Sequence, residues 1–222
     1  MEKEELIKKY SIDIEKLKKE QEKLAKSLEI KDKIDFSLVE KYGAVYSIFI
    51  KNKMLCGIIV CNKDFEITEQ DYVLEKVKFP YIAEFRAYRE LPAMMEVLNK
   101  IKEKPDIIFV QALGITHPRL GLASHFSLAS GIPVIGISDA IIGSEIKDDN
   151  VLRNNKKVGK VFVSKPGARP IYVSPGNQIS IETSLKITSQ LIKLPHKYPE
   201  PIYLVHKYLS SIENEVIDKE NQ

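Results

Sequence analysis

Two apolar runs of the sequence, residues 43–50 and 54–61, are separated by only the three residues Lys51-Asn52-Lys53. Runs of this length with many β-branched residues are typical of strands, and so short a connection indicates a tight antiparallel hairpin. The fold must therefore contain a sheet. Because residues 43–50 are apolar without interruption, as strands covered on both faces are, we predict that they form a central strand.

The rest of the chain alternates between short apolar runs and segments with helical spacing. The further predicted strands are residues 65–77, on a sheet edge, and residues 106–110, 133–137, 157–164 and 170–173. The predicted helices are residues 2–28, 86–102, 118–130, 179–192 and 201–212. Apolar runs separated by helices indicate a parallel portion of sheet. We predict an α/β fold, a mixed sheet flanked by helices, in one domain over residues 1–222 with an N-terminal helical extension at about 1–30.

Composition limits the possible partners and compartments. The net charge of the 222 residues is only +3, so nucleic-acid binding would depend on local basic patches. Cys56 and Cys61 have odd spacing within one predicted strand, so we expect two buried thiols on opposite faces. The first ten residues are too charged for a signal peptide, and no apolar run is long enough to span a membrane. These features predict a cytoplasmic protein without membrane association.

Four stretches of the sequence share their order and approximate spacing with one family of nucleases. They are Pro80-Tyr81-Ile82 followed by Tyr88-Arg89-Glu90-Leu91-Pro92-Ala93, residues 114–119 running into 121–125, residues 170–176 with a Ser-Pro-Gly turn, and Pro199-Glu200-Pro201 with His206 beyond. Each motif alone is of modest specificity, but all four in order are specific. Over about residues 38–212 the chain resembles endonuclease V.

The resemblance implies a ribonuclease-H-like sheet and a role in DNA repair. It also implies binding of inosine-containing DNA or RNA, and hydrolysis of a phosphodiester bond with a divalent metal such as Mg²⁺. A hard cation of this kind requires oxygen ligands, commonly carboxylates from several strands. The metal activates water and stabilises the charge that develops on the phosphate.

The sequence departs from the family at the metal site. Where the family has aspartates in its first strand and before the Gly-Ile-x-His-Pro-Arg loop, this chain has Tyr46 and Gln111. A shifted alignment does not restore the acids, because residues 41–63 and 107–138 contain no Asp or Glu. Neutral phenol and amide groups are poor substitutes for carboxylates at a hard cation. The metal site, as the family normally builds it, is therefore absent.

Three remnants of that site carry open alternatives. Glu90 is either a surviving metal ligand or an ordinary acid in the first turns of a helix. His206 is either a ligand or general acid–base, or a structural histidine on a helix face. Asp139, which replaces the family's lysine, is either an N-cap or a relocated ligand. If these residues form a rearranged site, Mg²⁺ is the expected cofactor; otherwise none is expected.

The nucleic-acid contacts of the family match two segments. Tyr81 within Pro80-Tyr81-Ile82 matches a wedge that separates strands beside a damaged base, and the alternative is a tyrosine packed on the protein itself. Gly114, His117 and Arg119 lie on a loop that leads into a helix, where N–H groups and a cation can hold phosphate or base edges. The alternative for this loop is scaffolding.

One further departure concerns the base pocket. Glu84 and Arg86 stand where the family has small or apolar residues, so the resemblance does not define the shape of this pocket.

Three functions are consistent with these residues. The first is a pseudoenzyme that binds nucleic acid, such as inosine-containing DNA or RNA, without cleaving it. The second is an active nuclease with a rearranged site of Glu90, Asp139 and His206. The third is a protein-interaction or structural subunit whose partner the sequence does not identify. A contiguous basic face would favour the first, metal affinity the second, and an exposed apolar patch the third.

Overall fold

The structure, a computed structural model, describes residues 3–220. The strands are β1 Tyr42–Ile50, β2 Lys53–Cys61, β3 Ile67–Lys76, β4 Ile107–Val110, β5 Val134–Ser138, β6 Glu145–Lys147, β7 Asn150–Arg153, β8 Lys156–Phe162 and β9 Ile171–Asn177. The helices are α1 Lys3–Lys9, α2 Ile14–Ala25, α3 Arg86–Lys100, α4 Leu122–Ser130, α5 Ile181–Gln190 and α6 Glu200–Glu220, with short 3₁₀ turns at Phe36–Leu38 and Ala83–Phe85.

The strands form one mixed sheet in the order β3-β2-β1-β4-β5-β9-β8-β7-β6. Strand β1 lies between β2, its antiparallel hairpin partner, and β4, to which it is parallel. Strands β4 and β5 are also parallel, whereas β9 runs antiparallel to β5. The prediction that residues 43–50 form a central strand is therefore confirmed, as is the edge position of β3.

Helices cover both faces of the sheet. On one face, α3 and α4 pack through residues such as Met94 and Phe126. On the other, α5 and α6 pack through residues such as Ile187 and Leu209. Cys56 belongs to the first core and Cys61 to the second, and both are free thiols, so the expectation of opposite faces is confirmed.

The prediction of one helix over residues 2–28 is wrong, because the structure has two helices there, α1 and α2. Residue 2 lies outside the described residues. The chain turns between α1 and α2 at Ser11, whose φ of 50° is incompatible with a right-handed helix. Helix α2 then begins anew because the Asp13 side chain accepts a hydrogen bond from the Lys16 N–H at 2.9 Å. Among the described helices, none has the length and apolar character that a membrane crossing requires.

Other parts of the fold differ from the prediction, among them α6, which ends at Glu220 rather than at residue 212. Helix α4 begins at Leu122 rather than at residue 118, because the preceding loop is held in a different conformation by the contacts described below. Strands β6 and β7 were not predicted. They are short, and the turn between them is formed by Asp148 and Asp149, both with positive φ, which is the geometry of a tight hairpin turn.

Candidate nucleic-acid interface and the remnant of a metal site

The candidate site lies at the carboxyl ends of the parallel strands, where open α/β sheets commonly bind ligands. Gln111 directly follows β4, and Asp139 directly follows β5. Val45 of β1 pairs with Val110 of β4, so Tyr46 and Gln111 occupy the next positions on neighbouring strands. The topology therefore brings together the positions at which the family resemblance placed metal ligands.

Glu90 projects toward this place from α3, and its carboxylate is already paired. The Arg86 guanidinium, one helical turn earlier, donates from Nε to Oε1 at 2.8 Å and from Nη2 to Oε2 at 3.1 Å. The Glu90 side chain is only 4% exposed, so this two-pronged ion pair is largely shielded from solvent. Burial acts to lower the pKa of Arg86, but the contact with Glu90 raises it above its ordinary value, so the guanidinium stays charged.

Asp139 is also paired within the chain. The Tyr198 hydroxyl donates to its carboxylate at 2.7 Å, Lys197 Nζ lies 2.6 Å from Oδ1, and Gln111 Nε2 lies 3.3 Å from Oδ2. Burial acts to raise the pKa of Asp139, but the bonds from Lys197 and Tyr198 hold it below its usual range. This carboxylate is therefore ionised and neutralised by a lysine of its own chain.

His206 of α6 packs against Tyr46 rather than against a carboxylate. The two ring centroids are 4.1 Å apart with an interplanar angle of 47°, and the Tyr198 ring lies 6.1 Å away. The buried Nε2 of His206 has no hydrogen-bond partner within the described residues. Burial lowers the pKa of His206 and raises that of Tyr46, so both rings are neutral at pH 7.

The residues present do not fit a divalent cation. The cavity between Tyr46, Arg86, Glu90 and Gln111 measures about 10 Å³, which is room for about one water molecule. To bind a metal ion, Glu90 would have to release the Arg86 side chain, and Asp139 the Lys197 side chain, that now neutralises it. Within residues 3–220, no three His, Cys, Asp or Glu side chains are grouped as a metal site would require, so Glu90, Asp139 and His206 do not form such a group.

The clearest feature of the adjoining surface is the exposed side chain of Tyr81, which lies between two buried residues. Pro80 and Ile82 are buried, whereas the Tyr81 side chain between them is 59% exposed. Tyr81 borders a cavity of about 200 Å³ that is also lined by residues of α3, of the loop after β4 and of the segment after β5. The ring is therefore exposed, on a segment whose two neighbouring residues are buried, and it lies beside a space of a size suited to a small group.

The loop between β4 and α4 forms one wall of this cavity and is held rigidly. Gly114 N–H donates to the Ser174 hydroxyl at 3.1 Å, and a Cβ at Gly114 would lie 2.2 Å from the Pro175 carbonyl oxygen. The Arg153 guanidinium donates to the carbonyls of Ile115, at 2.9 Å, and of His117. These contacts explain why the helix does not start before residue 122, and why only glycine fits at 114.

His117 lines the cavity and is buried. Its Nδ1 accepts the Arg119 backbone N–H at 3.1 Å, which places the proton of the neutral ring on Nε2. That Nε2 lies near the Glu84 backbone but makes no hydrogen bond of normal geometry within the described residues. Burial, aided by the charges of Arg119 and Arg153, lowers the pKa of His117 to about 4. His117 is therefore a neutral N–H donor at physiological pH.

Arg119 points away from the cavity, into the protein. Its Nε donates to Gln21 of α2 at 2.8 Å, and its Nη2 lies 2.9 Å from Glu84 Oε2. Gln21 in turn donates to the carbonyls of Glu84, at 3.0 Å, and Leu120, at 3.4 Å. In this conformation Arg119 is a structural link between the N-terminal helix and the cavity wall.

The profile of the family described as endonuclease V matches residues 22–207. Endonuclease V of Thermosipho melanesiensis is 33% identical over 215 residues, which cover 91% of this chain and 90% of the relative. The chain belongs to the endonuclease V family.

Other members of the endonuclease V family agree with this assignment. The protein of Dictyoglomus turgidum is 33% identical over 213 residues, covering 90% of this chain and 91% of the relative. The crystal structure of Ciona intestinalis endonuclease V, in complex with a 24mer DNA containing an inosine followed by a ribo-adenosine, superposes with a TM-score of 0.82. It is 22% identical and covers 91% of this chain and 98% of the other. The predicted ribonuclease-H-like fold is confirmed.

Several residues of the candidate site were not predicted from the sequence. Arg86 was noted only as a departure in the pocket, although its spacing of four residues from Glu90 predicts a contact on one helix face. Lys197 and Tyr198 were missed because they are about sixty positions from Asp139, and no local signal links them. Gln21 was missed because a single polar residue in a Lys- and Glu-rich helix resembles a solvated position.

Proposed function

We propose that this member of the endonuclease V family binds inosine-containing DNA or RNA without the family's Mg²⁺-dependent cleavage. The observation that carries the proposal is the exposed Tyr81 ring, held by buried Pro80 and Ile82 at the edge of a cavity of about 200 Å³. An aromatic ring in this position can replace the stacking of a base that leaves the helix.

In such binding, stacking on Tyr81 would offset much of the cost of unstacking the base. Stacking of one base on an aromatic side chain contributes roughly 1–3 kcal/mol, and unstacking a base costs on the order of a few kcal/mol. The neutral His117 offers an Nε2–H that lacks a well-formed partner. Deamination of adenine replaces an amino donor with a carbonyl acceptor, which is the group that such an N–H would bind. The DNA complex of the Ciona intestinalis protein is in line with this proposal.

We expect no ordinary catalysis because of the donor set. Tyr46 and Gln111 are neutral, and Glu90 and Asp139 are already neutralised by Arg86 and Lys197. Stabilisation of charge on a reacting phosphate by a metal contributes several kcal/mol to such reactions, and neither carboxylate of this donor set is free of a cationic side chain. No catalytic step is therefore assigned to these residues.

Binding is tested by fluorescence anisotropy with labelled single-stranded and duplex oligonucleotides, with and without inosine, at two salt concentrations. We expect tighter binding of the inosine-containing strands and at least a fivefold weakening in Tyr81→Ala, since about 1 kcal/mol of stacking is lost. Affinity no better than millimolar at low salt would refute the proposal. It would leave the protein-interaction subunit as the leading function.

Cleavage is tested with the same oligonucleotides in excess protein and Mg²⁺ or Mn²⁺. We expect no nicking beside inosine. Specific nicking that persists through purification and disappears in Glu90→Ala would contradict the proposal. It would establish the alternative, an active nuclease with a rearranged site.

A further inference from the structure

We infer that the Arg86 guanidinium is a built-in phosphate-binding group, which supplies at this site the positive charge that a metal-dependent relative takes from solution. The inference rests on the proposed nucleic-acid binding. It assigns a phosphodiester of the bound strand as the ligand of Arg86, and it predicts binding that does not depend on divalent cations.

Arg86 occupies a position between two parts of the site. It is the first residue of α3, and it lines both the cavity beside Tyr81 and the small space between Tyr46, Glu90 and Gln111. A nucleotide whose base enters the larger cavity keeps its phosphates at the cavity mouth, because only the sugar separates them from the base. The guanidinium is therefore placed where such a phosphate would lie, next to the remnant of the metal site.

The guanidinium also has donors to spare. An arginine carries five N–H donors in a planar fork, and Glu90 accepts from two of the nitrogens, Nε and Nη2. Among the described residues, the Arg86 side chain forms no other hydrogen bond. The side chain is 33% exposed, so the remaining N–H groups can reach a ligand. A fork held on one edge by a carboxylate presents its other edge in a fixed direction, which suits the geometry of phosphate oxygens.

The location of Arg86 is unfavourable for the helix alone. A cation at a helix N-terminus opposes the helix dipole, and an arginine four residues before a glutamate is the weaker order for a helical ion pair. Residues that break a local rule in this way are most often found at functional sites. The alternative is that Arg86 only neutralises the buried Glu90. That alternative predicts an effect of substitution on stability but none on the salt dependence of binding.

The test measures anisotropy of a labelled inosine-containing single strand, in EDTA and in Mg²⁺, for the wild type, Arg86→Gln and a control. The control is Arg169→Gln, since Arg169 is an exposed arginine in the loop before β9. We expect equal wild-type affinity in EDTA and Mg²⁺, and about tenfold weaker binding of Arg86→Gln, which corresponds to about 1.4 kcal/mol. The slope of log affinity against log salt should decrease in magnitude by about 0.7, the value for one phosphate contact on a single strand. Arg169→Gln should change neither quantity.

A second pair of variants separates the contact from folding. Glu90→Gln frees Arg86 from its anionic partner, so it should bind the strand more tightly than the wild type, whereas a site that required Glu90 as a metal ligand would bind no better. Arg86→Gln/Glu90→Gln removes both charges and keeps two groups that can hydrogen bond, so it should stay folded and still show a salt slope smaller by about 0.7.

The possible results distinguish the two proposals. Strand binding that depends on Tyr81 but is unchanged in Arg86→Gln and in the double variant would overturn the role of Arg86 alone. Wild-type affinity that requires Mg²⁺ would overturn it as well. A wild-type protein that binds no strand at all would overturn the proposed function, and the role of Arg86 with it.

Discussion

Replacing Gln21 with alanine should destabilise the protein far more than its position in a charged N-terminal helix would indicate. Gln21 is fully buried, although its neighbours in α2 are largely charged and exposed. Its side chain accepts from Arg119 Nε at 2.8 Å and donates to the carbonyls of Glu84 and Leu120 at 3.0 and 3.4 Å. The substitution removes all three contacts at once.

The expected loss can be worked out from these bonds. A hydrogen bond to a charged group contributes about 1.5–3 kcal/mol, and a neutral one of good geometry about 1 kcal/mol. The bond at 3.4 Å is long and adds little. Alanine has a slightly higher helix propensity than glutamine, which returns a few tenths of a kcal/mol. We therefore expect Gln21→Ala to lower the free energy of unfolding by about 3 kcal/mol, roughly a hundredfold in the folding equilibrium.

The measurement is urea denaturation followed by circular dichroism, with Gln190→Ala as the matched control. Gln190 is an exposed glutamine at the end of α5, where a substitution should change the free energy of unfolding by no more than about 0.5 kcal/mol. If Gln21→Ala also loses less than about 1 kcal/mol, α2 is not fastened to the cavity wall through this side chain. The assigned role of Arg119 as an internal link would then be wrong.

Three further predictions concern Gly114, His117 and the two cysteines. Gly114→Ala should lower the free energy of unfolding by more than about 1 kcal/mol in a urea titration, because the new Cβ would lie 2.2 Å from the Pro175 carbonyl oxygen. The folded-state pKa of His117 is lowered to about 4 from 6.5, so the unfolded chain binds more protons between these values. Stability should therefore fall by up to about 3 kcal/mol as the pH drops from about 6.5 to about 4, and His117→Asn should lessen that fall. Burial raises the pKa of Cys56 and Cys61 to about 12, so neither thiol should react with a disulfide reagent at pH 8 until the protein is unfolded.

The central elements of the fold could be predicted because their signals are local. The apolar runs that became β1 and β2 are adjacent in sequence, and the alternation of runs and helices indicates parallel pairing of β1, β4 and β5. The hairpin of β6 and β7 could not be found in this way, because its strands have only three and four residues and too little apolar content. The turn at Asp148 and Asp149 was its one available signal.

The candidate site was only partly predictable for a related reason. The residue types at Tyr46, Glu90 and Gln111 could be compared with the family pattern position by position. The inward direction of Arg119 could not, because it depends on Gln21, whose partner lies 98 positions along the chain. The ion pairs also differ in whether a local sequence signal predicts them. The pair of Arg86 and Glu90 is implied by helical spacing, whereas the pair of Asp139 and Lys197 is a product of the tertiary fold.

The loss of two acids and the presence of Arg86 are connected through the burial of Glu90. A carboxylate that is 4% exposed is costly unless it is protonated or paired with a cation. In a metal-dependent site the ion can supply that pairing, and a site without the ion needs another positive group at the same place. Arg86 provides one from within α3, at the expense of an unfavourable position at the helix start.

Removing one partner of a buried ion pair typically costs about 3–5 kcal/mol, so the Arg86 side chain also contributes to the stability of the fold. The same guanidinium keeps N–H groups directed at the cavity edge. On the proposed function, the residue that neutralises a buried acid can thus also contact a phosphate of the bound strand.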